Sequence, residues 1–181
     1  MTATAITPIS ATYRRDGNYI PITTDGITIV DSQTLVGSGA TVAVPIFSIT
    51  GSVEIRAIYG VVTTTLGNNT AAYFRVNDAT AQSSITLSTG TSLTSAGVGS
   101  MIVKKDLASA AVTLLTAAQE RVSEPTTLET TFFSPFVVVQ KNAVTTNIEF
   151  VYTTSDTPTT GALQFFVRFL PLSNGANIVA L

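Results

Sequence analysis

The sequence predicts an all-β fold, a β-sandwich or jelly-roll-like domain with an extended N-terminal arm. Three observations point there. Val, Ile and Thr supply 65 of the 181 residues, and β-branched side chains suit a pleated, half-buried surface better than a helix. Several segments alternate apolar and polar residues with a period of two. Gly, Asn, Asp and Pro interrupt these segments roughly every eight to fifteen positions, as in sandwiches of many short strands.

Residues 1–35 form one compositional block. Met1–Thr12 is small and polar, and Tyr13-Arg14-Arg15-Asp16-Gly17-Asn18 concentrates charge. Asp16-Gly17 and Asp25-Gly26 are turn signals, and Tyr19–Thr23 and Ile27–Val30 are short strand-like runs. The block reads as an arm with a small hairpin, of the kind ordered by a neighbour. Gly37-Ser38-Gly39 marks the boundary, and the sandwich domain takes residues 36–181.

Within the body, Ala40–Ile49 alternates around Pro45, which places that residue at a sheet edge or a strand break. After Gly51-Ser52, the alternation of Val53–Leu66 puts Val53, Ile55, Ala57, Tyr59 and Val61 on one face and Glu54, Arg56 and Ile58 on the other. Thr70–Val76 sets Tyr73 and Arg75 against Ala72, Phe74 and Val76, and Ser84–Ser88 follows a turn at Asn77-Asp78. Thr89–Gly99 reads as a surface loop, and Met101–Lys105 as a short strand ending in Lys104-Lys105, either a solvated strand end or a contact. Asp106–Glu120 fits a helix with Leu107, Ala111, Leu114 and Ala118 on one face, or a strand over Ala111–Thr116; the surroundings favour the strand. The last strands are Phe132–Lys141, Thr145–Thr154 and Ala162–Pro171, before a tail ending Ile178-Val179-Ala180-Leu181. Glu54, Arg56, Glu149 and Arg168 fit an outward sheet face laced by cross-strand ion pairs.

Composition then narrows function. Cys, His and Trp are absent, which excludes a disulfide framework, a Cys or His metal site, and His- or Cys-based catalysis. Nine Lys and Arg in a chain of net charge −2 exclude the basic footprint of a nucleic-acid binder. No apolar run is long enough to span a bilayer, and Met1–Ile9 lacks a secretory leader pattern, so synthesis in the cytoplasm is expected. Charged residues are 11% of the chain while Thr and Ser number 32 and 16. Such a composition fits a monomer solvated through its Thr and Ser hydroxyls or a subunit largely covered by partners; interface cores are depleted in charge, which favours the second.

The eleven acids are scattered singly, whereas glycoside hydrolysis needs two carboxylates about 5–9.5 Å apart. Asp16-Gly17-Asn18 lacks the spacing of a calcium loop. Gly97-Val98-Gly99 lacks the lysine of a phosphate cradle. No catalytic residue, metal ligand or cofactor site is expected. The compact basic pair Arg14-Arg15, with Tyr13 and Asp16, is the candidate partner contact, through bidentate Arg–carboxylate pairing.

Two stretches carry a resemblance. Pro45-Ile46-Phe47-Ser48-Ile49-Thr50-Gly51, continuing through Val53-Glu54-Ile55 and Tyr59-Gly60-Val61-Val62-Thr63, is one; Asp156-Thr157 through Gly161 and on to Pro171-Leu172-Ser173 is the other. Together they resemble virion structural proteins of tailed bacteriophages, over about Thr41–Leu181. The resemblance implies a non-enzymatic capsid decoration (cement) protein, synthesised in the host cytoplasm and placed on the capsid exterior. There it would be a homo-oligomer, a trimer, bridging and stabilising major capsid subunits, without nucleic acid, membrane or cofactor. The alternative is a tail, head-fibre or baseplate-associated module that binds a host receptor or glycan.

Overall fold

The computed structural model describes residues 27–37, 39–78, 84–104, 111–116, 135–140, 144–154 and 161–181. Two antiparallel sheets pack face to face. The first holds β1 (Ile27–Thr34), β10 (Ala162–Pro171), β3 (Ser52–Thr64), β6 (Met101–Val103) and β7 (Thr113–Leu115) in that order. A sixth strand, β8 (Phe136–Val139), pairs with the start of β3. The second sheet runs β11 (Asn177–Ala180), β2 (Thr41–Thr50), β9 (Thr146–Thr154), β4 (Asn69–Asp78) and β5 (Ser84–Thr86). The all-β sandwich expectation is met.

The chain changes sheet between β1 and β2, β2 and β3, and β3 and β4. The β2–β3 corner is a single residue, Gly51, at φ +69°, a conformation that side chains with a Cβ adopt at a cost. Its amide donates to Gln140 Oε1 at 3.0 Å and its carbonyl accepts from the Gln140 amide at 2.8 Å.

The core lies between the sheets and centres on Phe74, Phe150 and Phe165. Phe150 and Phe165 are 4.9 Å apart and Phe74 meets Phe165 edge-on at 6.1 Å. Gly60 stands opposite Phe165 across the β3–β10 ladder. A Cβ there would sit 3.1 Å from the ring, so the glycine leaves the space the ring fills. Tyr152 is buried in the same layer, and its hydroxyl donates to the Val36 carbonyl (2.9 Å) and accepts from the Val36 amide (3.0 Å). That pins the β1–β2 connection to the opposite sheet.

The alternation expected for Ala162–Pro171 and Thr70–Val76 is the one observed. β3 departs from expectation. Val53 and Ile55 are buried, but the inward set then becomes Ile58, Gly60 and Val62. The register shows why: Phe169 faces Ile55 and Arg168 faces Ala57, leaving Arg56 as the extra residue of a β-bulge. One extra residue moves every later side chain to the other face, so Ala57, Tyr59 and Val61 point outward. Pro45 stands beside a second bulge, at Ile46, in a stretch of β2 that β11 does not reach. The expected edge or break is found.

Three further expectations are corrected or refined. Thr89–Gly99 is no plain surface loop, because Leu93 and Ala96 are buried in the core; their backbone bonds to Asn69 and Leu66 tie the loop across one end of the sandwich. Lys104 is buried, with Nζ 5.0 Å above the Phe136 ring, a cation–π contact, so the contact reading holds there and the solvated one does not. Within Asp106–Glu120, Thr113–Leu115 is strand, paired to β6; residues 105–110 and 117–120 lie outside the described residues.

Candidate interaction surface

Tyr13, Arg14, Arg15 and Asp16, with the turn signals at Asp16-Gly17 and Asp25-Gly26, lie outside the described residues. The remainder of the compositional block does not. β1 pairs with β10 over its whole length, from Ile27 opposite Phe169 to Thr34 opposite Ala162, and Leu35 is fully buried. The sandwich therefore takes in residues 27–35, which the Gly37-Ser38-Gly39 boundary assigns to the arm.

Charge is distributed in a telling way over the described body. Its charged residues are Asp31, Glu54, Arg56, Arg75, Asp78, Lys104, Glu149 and Arg168; three are buried, five are half-buried and none is exposed. Glu149 and Arg75 stand opposite each other on β9 and β4, and Arg75 Nε donates to Glu149 Oε2 at 2.6 Å. Asn77 Nδ2 donates to the other carboxylate oxygen at 3.0 Å. This is the cross-strand ion pair expected of Glu149. Arg56 bonds Glu54 at 2.8 Å along the same strand rather than across strands. Asp31 points into the sandwich, where burial pushes its carboxyl above the usual range; the 2.6 Å bond from Gln33 Nε2 only partly offsets this.

With charge withdrawn, the two outer faces can be read by register. On the six-stranded sheet, Val30 faces Phe166, Phe166 faces Tyr59, and Tyr59 faces Val103. These four outward residues form an apolar ridge across four strands. The neighbouring row is Ser32, Gln164, Val61, Met101 and Leu115. On the other side of the ridge come Thr28, Arg168 and Ala57, then Leu170, Glu54 and Val137, with Val137 and Val139 of β8 at 55% and 62% exposure. None of Val30, Tyr59, Val61, Met101, Val103, Leu115, Phe166 or Leu170 belongs to the core cluster.

The rings of Tyr59 and Phe166 lie 4.8 Å apart and within 8° of parallel, stacked on each other across the ladder. Each ring thus spends one face on the other. Sugar recognition by stacking uses an open ring face, so this geometry favours a protein surface.

A second feature is an open groove of about 320 Å³ between the sheets at the β8 and β5 side, lined by Val76, Ile85, Leu87, Phe136 and Val137–Val139, with Asp78 and Thr146. It is mostly apolar and contains one carboxylate, so it does not provide the carboxylate pair of a glycosidase. Among the described residues, no group of three or more Asp, Glu, His or Cys side chains is placed to hold a metal ion.

Sequence reasoning missed the ridge because it assigned Tyr59 and Val61 to the buried face. A signal was available: Ala57-Ile58-Tyr59-Gly60-Val61-Val62 is apolar at both parities, the mark of a strand covered on both sides. No family model, curated protein or solved structure matches the chain.

Proposed function

We propose that the chain is a non-enzymatic structural subunit that decorates a tailed-phage capsid, bridging and stabilising major capsid subunits as a trimer on the capsid exterior. The observation that supports this most is the scarcity of charge: all eight charged residues of the described body are buried or half-buried, while one outer sheet face carries an apolar ridge. A free-standing soluble domain keeps mixed charges on its surface; a charge-depleted apolar face is what a covered interface has.

The mechanism is linkage. Packaged DNA pushes capsid subunits apart, and a protein that binds only the assembled shell stabilises it by mass action. Three linked copies convert modest single contacts into avid attachment, because after the first contact the others occur at high effective concentration. In this reading Tyr13, Arg14, Arg15 and Asp16 supply capsid contacts.

The test is binding of the purified chain to phage heads that lack it, measured by co-sedimentation, with full-length protein and a variant lacking residues 1–26. The full chain is expected to bind and to raise the temperature at which heads release DNA. The truncated form is expected to stay folded and associated but to lose binding. Failure of the full chain to bind any head, or undiminished binding by the truncated form, overturns the respective claim.

A further inference from the structure

We infer that the outer face of the six-stranded sheet is the surface through which copies of this chain associate, a second copy covering the ridge of Val30, Phe166, Tyr59 and Val103. The inference rests on the reading of the chain as an assembling subunit and names the surface that reading leaves open.

Area is the first argument. The strands of this sheet contribute 41 residues. At a rise of ~3.3 Å and a strand spacing of ~4.8 Å, each covers ~16 Å², so the face spans about 650 Å² before side-chain relief is counted. A specific interface needs about 500 Å² from each partner, and a standard one takes about 800 Å². One sheet face is therefore enough, with no contribution from the rest of the molecule.

Charge is the second. Glu54 on this face is already engaged by Arg56 at 2.8 Å. The ridge itself is apolar apart from the Tyr59 hydroxyl, and the half-buried Arg168 stands in the row beside it. A strongly acidic or basic partner would find little charge to match, whereas a second apolar surface complements the ridge. A copy of the same chain supplies an apolar surface at the moment of synthesis. Ring geometry is the third: the Tyr59–Phe166 stack uses one face of each ring, which reduces the open ring face that a sugar would need.

The chain contains no Cys, so single-cysteine variants report without background. Ser32, exposed in the single chain, belongs to the ridge face; Thr41, also exposed, lies on the outer face of the other sheet. Maleimide labelling of Ser32→Cys and Thr41→Cys is read alongside light-scattering mass. The expected result is a mass that is a multiple of 18.9 kDa, with Ser32→Cys labelled at least tenfold more slowly than Thr41→Cys. Tyr59→Lys should lower the mass to that of one chain while keeping the β circular-dichroism spectrum. A monomeric parent, equal labelling at both sites, or a folded Tyr59→Lys of unchanged mass overturns the inference. If Tyr59→Lys does not fold, the labelling pair decides alone. A chain that assembles through this face but binds no phage head keeps this inference and removes the capsid reading; a monomer that binds heads does the reverse.

Discussion

The two outer faces of the sandwich use the same strand geometry and opposite chemistry. On the five-stranded sheet the central row is Pro45, Glu149, Arg75 and Thr86; Ser48, Asn147, Asn77 and Ser84 flank it on one side, and Ala43, Val151 and Tyr73 on the other, with Thr41, Thr153 and Thr70 beyond them. Its one ion pair is sunk among these neighbours, with the Glu149 side chain 8% exposed. On the six-stranded sheet the corresponding central row is Val30, Phe166, Tyr59 and Val103. Rows of hydroxyls and amides beside an ion pair are compatible with water, and Val151 of the Ala43 row is itself buried. An aromatic ridge is stable there only at the cost of leaving apolar area wet, unless something covers it. The contrast assigns solvent to one face and a partner to the other.

The sharpest way to break this contrast uses two adjacent residues on β10. Phe165 points into the core and Phe166 points outward. Phe165→Ala should destabilise the subunit by about 3–5 kcal/mol, the usual cost of emptying a core aromatic site, read as a shift in urea midpoint. Phe166→Ala should cost the isolated subunit far less and instead weaken association, seen as a lower mass on dilution. Equal losses of subunit stability at both sites would mean that Phe166 is part of the core.

Next in size is the ion pair of the polar face. Arg75→Ala leaves Glu149 nearly buried with Asn77 as its remaining partner. The expected loss is about 2 kcal/mol, below the about 3–5 kcal/mol of a fully buried pair because Arg75 keeps part of its side chain in water. Oligomer mass should not change. A change of mass would move the interface to this face.

Asp31 gives an effect gated by pH. Burial raises its folded-state pKa above the unfolded value, so the native state holds a proton that the unfolded state has released. Its protonation therefore favours the fold at low pH, and that contribution is lost as pH rises through the raised pKa. Asp31→Asn, which keeps an acceptor for Gln33, should raise the melting temperature at neutral pH, and the gain should vanish below the ordinary carboxylate range. A gain that is the same at all pH values would contradict the assignment. The smallest effect belongs to the half-exposed Glu54–Arg56 pair, where Arg56→Ala should cost about 0.5 kcal/mol, a shift near the limit of a denaturant titration.

How much of this was legible beforehand follows from where the ladders are regular. The face assignments of 70–76 and 162–171 were readable because alternation there runs unbroken through the residues used. The second half of β3 was not, because the bulge at Arg56 depends on a partner strand over a hundred residues away and leaves no local mark. The end-loop 89–99 looked solvent-borne because Gly, Ser and Thr outnumber its anchors, Leu93 and Ala96. The charge-poor composition did point to a covered surface, but which face is covered depends on register, and register is a tertiary property.

The measurement that tests the central claim most directly is the mass of the full-length chain by light scattering on a sizing column, across a dilution series. A mass of about three times 18.9 kDa at the upper end of the series is the predicted result. A mass of one chain at every concentration would mean that the aromatic ridge meets water unaided, and would contradict the account.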